Sequence, residues 1–113
     1  MNMVIRMSSP FGGTTRTRVL MALQLLEESY PRELARLLRV PVSGALSALK
    51  GLERDGLVSA RALGRTRVFR FEPRYFAVRE MRAYLARLAE ADPSLSRRAE
   101  QLRRRPRRTG KPL

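Results

Sequence analysis

A chain of 113 residues can bury one hydrophobic core and no more, and with neither cysteine nor histidine it can form no disulfide and no thiolate or imidazole metal site. Lys and Arg number 24 against 10 Asp and Glu, a formal charge of +14, which favours polyanionic partners because each cation that meets a phosphate releases condensed counterions. No apolar run approaches the ~20 residues that a membrane-spanning helix needs, and the first 13 residues lack the apolar stretch and cleavage pattern of an export signal. Together with the absence of cysteine, these features lead to an expectation of cytoplasmic placement, nucleoid-associated if the source is prokaryotic.

The charge is uneven. Residues 1–91 carry 16 basic and 8 acidic side chains, and residues 92–113 carry 8 and 2. The expected organisation is an N-terminal arm over 1–13, one domain over 14–91 and a basic tail over 92–113. The arm ends in Ser8-Ser9-Pro10-Phe11-Gly12-Gly13, a loop composition, and has Val4, Ile5 and Phe11 to pack on a neighbour.

Thr14 or Thr15 suits the cap of a first helix that runs to about Glu28. From Val19 to Leu26 this helix has almost no polar side, so it must be covered on more than one face. Pro31 to Leu38 reads as a short helix opened by proline, where the missing N–H costs nothing. A second helix follows from about Val42 to Asp55, and Gly56 stands where a left-handed residue can close it. Ala45, Ala48, Leu49 and Leu52 recur every three and four residues and form one buried stripe. On the other side lie Val42, Ser43, Leu46, Ser47, Lys50 and Arg54. Two helices at a steep angle, the second with a short-polar and basic face, match the width of the DNA major groove. A plain helical hairpin has the same spacing.

Beyond Gly56, Leu57 to Ala62 and Arg67 to Phe71 are strand-forming runs around a turn containing Gly64, a hairpin signal. Here the chain resembles winged helix-turn-helix regulators of the ArsR-type and MarR-type groups. The resemblance rests on ELARLL, a three-residue turn, the pattern SxxLSxLKxLExxGLV over Ser43 to Val58, and GRTRVFRF over Gly64 to Phe71, and it covers roughly Thr15 to Ala91. It implies a mainly α fold with a small β-hairpin, a winged helix-turn-helix with N- and C-terminal dimerisation helices, and a transcriptional regulator bound to double-stranded DNA. Many ArsR-type proteins sense metals through Cys and His, which this chain lacks, and no carboxylate cluster suited to a harder ion stands out. No cofactor is therefore expected.

After Glu72-Pro73, Arg74 to Ala91 reads as a further helix with Ala77, Met81, Tyr84, Leu85 and Leu88 on one face. The resemblance places a homodimer interface on the first and last helices, and their apolar load is an independent reason for one, so Val19, Leu23, Leu26, Met81, Tyr84, Leu85 and Leu88 are its candidates. The same residues also fit two helices that cover each other within one monomer. Asp92-Pro93 suits the start of another short helix carrying Leu95, Ala99 and Leu102. The arginines and prolines that follow favour disorder, either as an arm along phosphates or as a solubilising tail.

For base reading the candidates are Ser43, Ser47 and Lys50, with Val42 placed to meet a thymine methyl. Ser43 fits equally as a helix cap, and Ser47 and Lys50 as surface residues. Arg65 at the hairpin tip, flanked by Arg61 and Arg67, suits a narrow minor groove, where the negative potential is deepest; such a wing also serves as a solvated edge. Arg16, Arg18, Arg32 and Arg36 are expected on the phosphate backbone, and Arg39 in the turn is a weaker candidate.

The chain departs from the family pattern at Leu46, where these regulators usually carry a polar residue. Gly44 and Gly51 each weaken the helix by ~1 kcal/mol relative to alanine. No Asn, Gln or Arg stands in the first two turns for a bidentate base contact. A protein-interaction or architectural winged-helix module with little sequence specificity, recruiting a protein partner through Val42 and Leu46, is the alternative. With no His, no Cys and no phosphate-cradling glycine loop, catalytic residues are not expected and an enzyme is disfavoured.

Overall fold

The computed structural model describes residues 10–104; the first nine residues of the arm expected over 1–13 and the arginine-rich end beyond 104 lie outside them. Five helices and one hairpin follow in the order α1 (Thr14–Leu26), α2 (Pro31–Leu38), α3 (Val42–Arg54), β1 (Val58–Leu63), β2 (Thr66–Phe71), α4 (Val78–Ala89) and α5 (Pro93–Arg104). No helix among the described residues is long and apolar enough to cross a membrane.

The centre is α1. Val19, Leu20, Met21, Ala22 and Leu23 are each 0% exposed, so this helix is enclosed on every side, as its unbroken apolar run requires. Helices α2, α3, α4 and α5 all pack on it. Its N-cap position falls on Gly13 without a side-chain bond, so neither Thr14 nor Thr15 caps it. The Thr17 hydroxyl instead donates to Gly13 O at 2.8 Å.

Strands β1 and β2 pair antiparallel from Val58↔Phe71 to Leu63↔Thr66, leaving a two-residue turn at Gly64-Arg65. Positive φ at Gly64 alone (63°) is the type II′ pattern, in which glycine takes the first central position. The hairpin is tied to the helices through Ser29: Ser29 N–H donates to Phe69 O at 3.0 Å and Phe69 N–H to Ser29 O at 2.7 Å, a single-residue third strand. The Ser29 hydroxyl donates to Glu33 Oε1 at 2.6 Å, which holds this buried pair at the entrance to α2.

Two sequence expectations shift. Helix α4 begins at Val78 rather than Arg74, because the Glu72 carboxylate accepts the Arg74 N–H at 2.9 Å and Glu72 O accepts the Tyr75 N–H at 3.1 Å, forming turns before a helix can start. The bond from the Arg74 N–H to the charged form, with the Arg74 guanidinium beside it, holds the Glu72 carboxyl below its ordinary value.

The second shift concerns the boundary at residue 92, which does not separate domain from tail within the described residues. Asp92 Oδ1 accepts the Leu95 N–H at 3.1 Å, capping α5, and Leu95 and Ala99 are buried against the core. Arg98 Nε and Nη2 both donate to Leu37 O, at 3.2 and 3.0 Å, placing a cation on the C-terminal carbonyls of α2 where the helix dipole favours it. Helix α5 is therefore part of the folded unit. Leu95→Ala should lower stability by about 2–5 kcal/mol in urea or thermal unfolding; a change below about 0.5 kcal/mol, the size of an ordinary surface substitution, would show that α5 is not core.

Candidate nucleic-acid interface

Helix α3 has two faces, as its spacing predicts. Ala45, Ala48, Leu49, Gly51 and Leu52 are buried, whereas Val42, Ser43, Ser47, Lys50 and Arg54 are exposed and Leu46 is half-buried. The N-cap position is Pro41, with no side-chain cap bond, so Ser43 is not a cap and its hydroxyl stands on the outer face. At the other end Leu57 N–H donates to Leu52 O (2.9 Å) and Gly56 N–H to Glu53 O (3.0 Å), with Gly56 at φ 83°: a Schellman closure that sends the chain into β1.

The turn between α2 and α3 is held by Arg39 at φ 61°, an unusual cost for a side chain bearing a Cβ, and by a bond from Val40 N–H to Ala35 O at 3.0 Å. This closure leaves the Arg39 side chain in solvent.

The wing reaches the same region. Arg67 Nη2 lies 3.0 Å from Glu53 Oε2, and its guanidinium also sits 5.2 Å from the centre of the Phe69 ring. Glu53 is three residues after Lys50, one helical turn along the same side, so this pair draws β2 against the Lys50–Arg54 edge of α3. Arg65, two residues from Arg67, is exposed at the tip.

Carboxylate partners divide the expected phosphate contacts into two groups. Arg61 pairs with Glu28 at 3.0 Å, Arg67 with Glu53, and Arg54 approaches Asp55 at 3.8 Å. By contrast Arg18, Arg32, Arg36, Lys50 and Arg65 have no carboxylate within ion-pair range among the described residues, and the same holds for Arg39 and for Arg70, which the sequence reading did not single out. Of the unpaired group Arg32, Arg36, Arg39, Lys50, Arg65 and Arg70 are exposed, while Arg18 is half-buried.

Arg16 departs from its expected place on a phosphate backbone. Its Nε donates to Phe11 O at 2.7 Å and its Nη2 to Asp55 Oδ2 at 2.6 Å, and its side chain keeps 21% exposure. It crosses α3 at Gly51, where an added Cβ would lie 2.8 Å from its Nη1. The helix-weakening glycine thus has a local reason: it makes room for an arginine that ties the start of α1 to the end of α3. The hydrogen bond from Arg16, helped by the charges of Arg16 and Arg54, holds the Asp55 carboxyl below its ordinary value.

Most of the dimer candidates lie inside the single chain. Val19, Leu23, Leu26, Met81 and Leu85 are buried within the single chain, because α1, α4 and α5 cover one another. Only Tyr84, 43% exposed, and the half-buried Leu88 keep accessible surface. The most exposed large apolar side chain among the described residues, missed in the sequence because it lies outside the helical period, is Phe76 at 92%. It stands edge-on to Tyr75 at 5.3 Å between ring centres.

A core helix, a helix-turn-helix pair, a two-stranded wing and two covering helices make this a winged helix-turn-helix fold. It is shared with a mutant of ZitR from Lactococcus lactis: in its apo form at TM-score 0.55 and 17% identity, over 82% of this chain and 69% of that one, and in a second structure at TM-score 0.56 and 16% identity, over 94% and 70%. At such identities the likeness is one of fold, and it selects neither the ArsR-type nor the MarR-type group. No family model and no curated protein matches the chain.

The Arg16 bridge makes two predictions. With Arg16 present, Gly51→Ala should gain little stability, because the methyl competes with the guanidinium; in an Arg16→Ala background the same change should stabilise by about 1 kcal/mol, the helix propensity difference. Equal effects in both backgrounds, read by chemical denaturation, would remove the crossing. Because the Asp55 carboxyl is depressed in the fold, its contribution is present at neutral pH and lost as pH falls below 3.8 through the folded value. The stability gap between wild type and Asp55→Asn should therefore close in acid.

Proposed function

We propose that the chain is a transcriptional regulator that binds double-stranded DNA as a homodimer, with no reaction of its own, laying α3 in the major groove and the Arg65 wing in the minor groove. The observation that carries this reading is the set of exposed cations without carboxylate partners on α2, α3 and the wing: Arg32, Arg36, Lys50 and Arg65. An arginine already paired in the free protein must exchange one partner for another on meeting a phosphate; an unpaired one gains the whole contact. The Glu53–Arg67 pair supports this reading by holding the wing beside α3. In a helix-turn-helix the first helix crosses the backbone while the second enters the groove, which assigns Arg32 and Arg36 to phosphates, Ser43, Ser47 and Lys50 to base edges, and Arg54, Arg61 and Arg67 to supporting roles.

The fold likeness supports this reading at the level of architecture. For the dimer, the support is the aromatic surface left after the monomer closes: Phe76, Tyr84 and the neighbouring Phe11, whose ring centre lies 5.9 Å from that of Tyr84. Phe11 and Tyr84, with Tyr75 beside Phe76, border a shallow cleft of about 470 Å³ floored in part by Met81. Exposed aromatic surface of this kind marks association sites.

Binding to a mixed-sequence duplex should weaken steeply with salt, and Arg36→Ala should reduce the slope of log affinity against log salt by about one, whereas Arg61→Ala, already paired with Glu28, should change it less. Affinity independent of salt would overturn the reading. In sedimentation, Phe76→Ser with Tyr84→Ser should shift the mass from dimer to monomer while the circular dichroism spectrum stays unchanged; a monomeric wild type would remove the dimer from the proposal.

A further inference from the structure

The outward face of α3 suggests which duplexes it can tell apart. Resting on the DNA-binding reading, we infer that the protein selects A·T-rich DNA, with Val42 and Leu46 reading thymine methyl groups in the major groove while Arg65 enters an A·T minor groove. Val42, 40% exposed, and Leu46, half-buried, stand one turn apart on the face that carries Ser43, Ser47 and Lys50. A serine hydroxyl both donates and accepts, so it meets any base edge without preference; the Lys50 ammonium can donate to guanine O6 and N7, but it stands in the third turn, behind the N-terminal residues that lead into a groove. The remaining charged groups at the end of the helix are engaged: Glu53 by Arg67, and Arg54 beside Asp55.

Discrimination therefore falls to the apolar side chains. The thymine C5 methyl is the apolar group on the major-groove edges of the four bases. An exposed valine that covers a methyl loses water from both surfaces; beside cytosine it covers none. The same composition suits the wing. Arg65 is exposed and unpaired at the tip of a two-residue turn, and A·T minor grooves are narrow, strongly negative and free of the guanine amino group that would obstruct an arginine.

Base analogues separate the two grooves. Five alternating duplexes of one length are titrated at one salt concentration: adenine–thymine, adenine–uracil, inosine–cytosine, inosine–5-methylcytosine and guanine–cytosine. Adenine–thymine should bind tightest. Adenine–uracil, which lacks only the methyl, should bind about fourfold more weakly per methyl contacted. Inosine–5-methylcytosine, which restores a methyl at the equivalent position, should exceed inosine–cytosine by a similar factor. Guanine–cytosine should be weakest, because its amino group fills the minor groove. Val42→Ser, at an exposed helix-start position that the fold does not need, should shrink the thymine-to-uracil ratio, and Arg65→Ala should shrink the ratio of inosine–cytosine to guanine–cytosine while leaving the methyl ratio intact. Equal affinity for thymine and uracil duplexes, or a preference for guanine–cytosine, overturns the inference with DNA binding still standing. Failure to bind any of the five removes the DNA-binding reading itself.

Discussion

Enclosure of α1 is the constraint from which the rest of the structure follows. Five consecutive residues with no exposure require cover all round the helix, and a single helix-turn-helix cannot supply it. Fully burying side chains of this size is worth on the order of 2 kcal/mol each, so their sum is comparable with the whole net stability of a small domain. Helices α2, α3, α4 and α5 close α1 in together. Because α3 meets this demand with Ala45, Ala48, Leu49 and Leu52 alone, its remaining face is free to carry short polar and basic side chains. The outer surface of α3 is a consequence of how little of it the core needs.

With a formal charge of +14, the chain repels itself, and three of its ten carboxylates sit at junctions between elements. Asp55 joins α3 to α1 through Arg16, Glu28 joins the end of α1 to β1 through Arg61, and Glu53 joins α3 to β2 through Arg67. Exposed pairs like the last two contribute at most about 1 kcal/mol each and are screened by salt, so their effect is on orientation more than on stability. They set the angle of the wing against α3. They also leave the basic side chains at the front of α2, at Lys50 and at the hairpin tip without competition from acids.

Much of this was legible in the amino-acid sequence, and the failures share a cause. The stripe of α3, the closure at Gly56 and the hairpin around Gly64 are local patterns, in which the period of apolar residues and the position of glycine carry the information. What was not legible depends on which surfaces meet. Leu23 and Leu85 look identical in sequence whether they face a second copy or the chain's own core, and although the helix carrying Leu95, Ala99 and Leu102 was legible, its place in the core was not, because its arginines resemble a solvated tail and Leu95 and Ala99 bury only a narrow stripe. Arg16 is a similar case. Nothing near it in sequence announces Asp55, 39 residues away, and the one clue, a glycine inside α3, reads equally as a weak spot. The exposed face of α3 could be listed from spacing alone, but the division of its surrounding arginines into paired and unpaired required three dimensions.

That division bears on how selectivity arises under the proposed function. Unpaired surface cations attract any duplex, and their contribution grows with the number of phosphates met without distinguishing sequences. Against this background the first two turns of each α3 offer two apolar side chains and two hydroxyls, with no Arg, Asn or Gln to make the bidentate pairs that discriminate by about 1–3 kcal/mol per base. One copy therefore has a small ratio of specific to non-specific binding. Two copies held in fixed register add their free energies of discrimination, so a ratio that is modest for one half-site is squared for two. The aromatic surface around Phe76 and Tyr84, remote in sequence from the groove-facing residues, thereby becomes part of specificity: the weaker the readout by each helix, the more selectivity depends on the contact that sets their spacing.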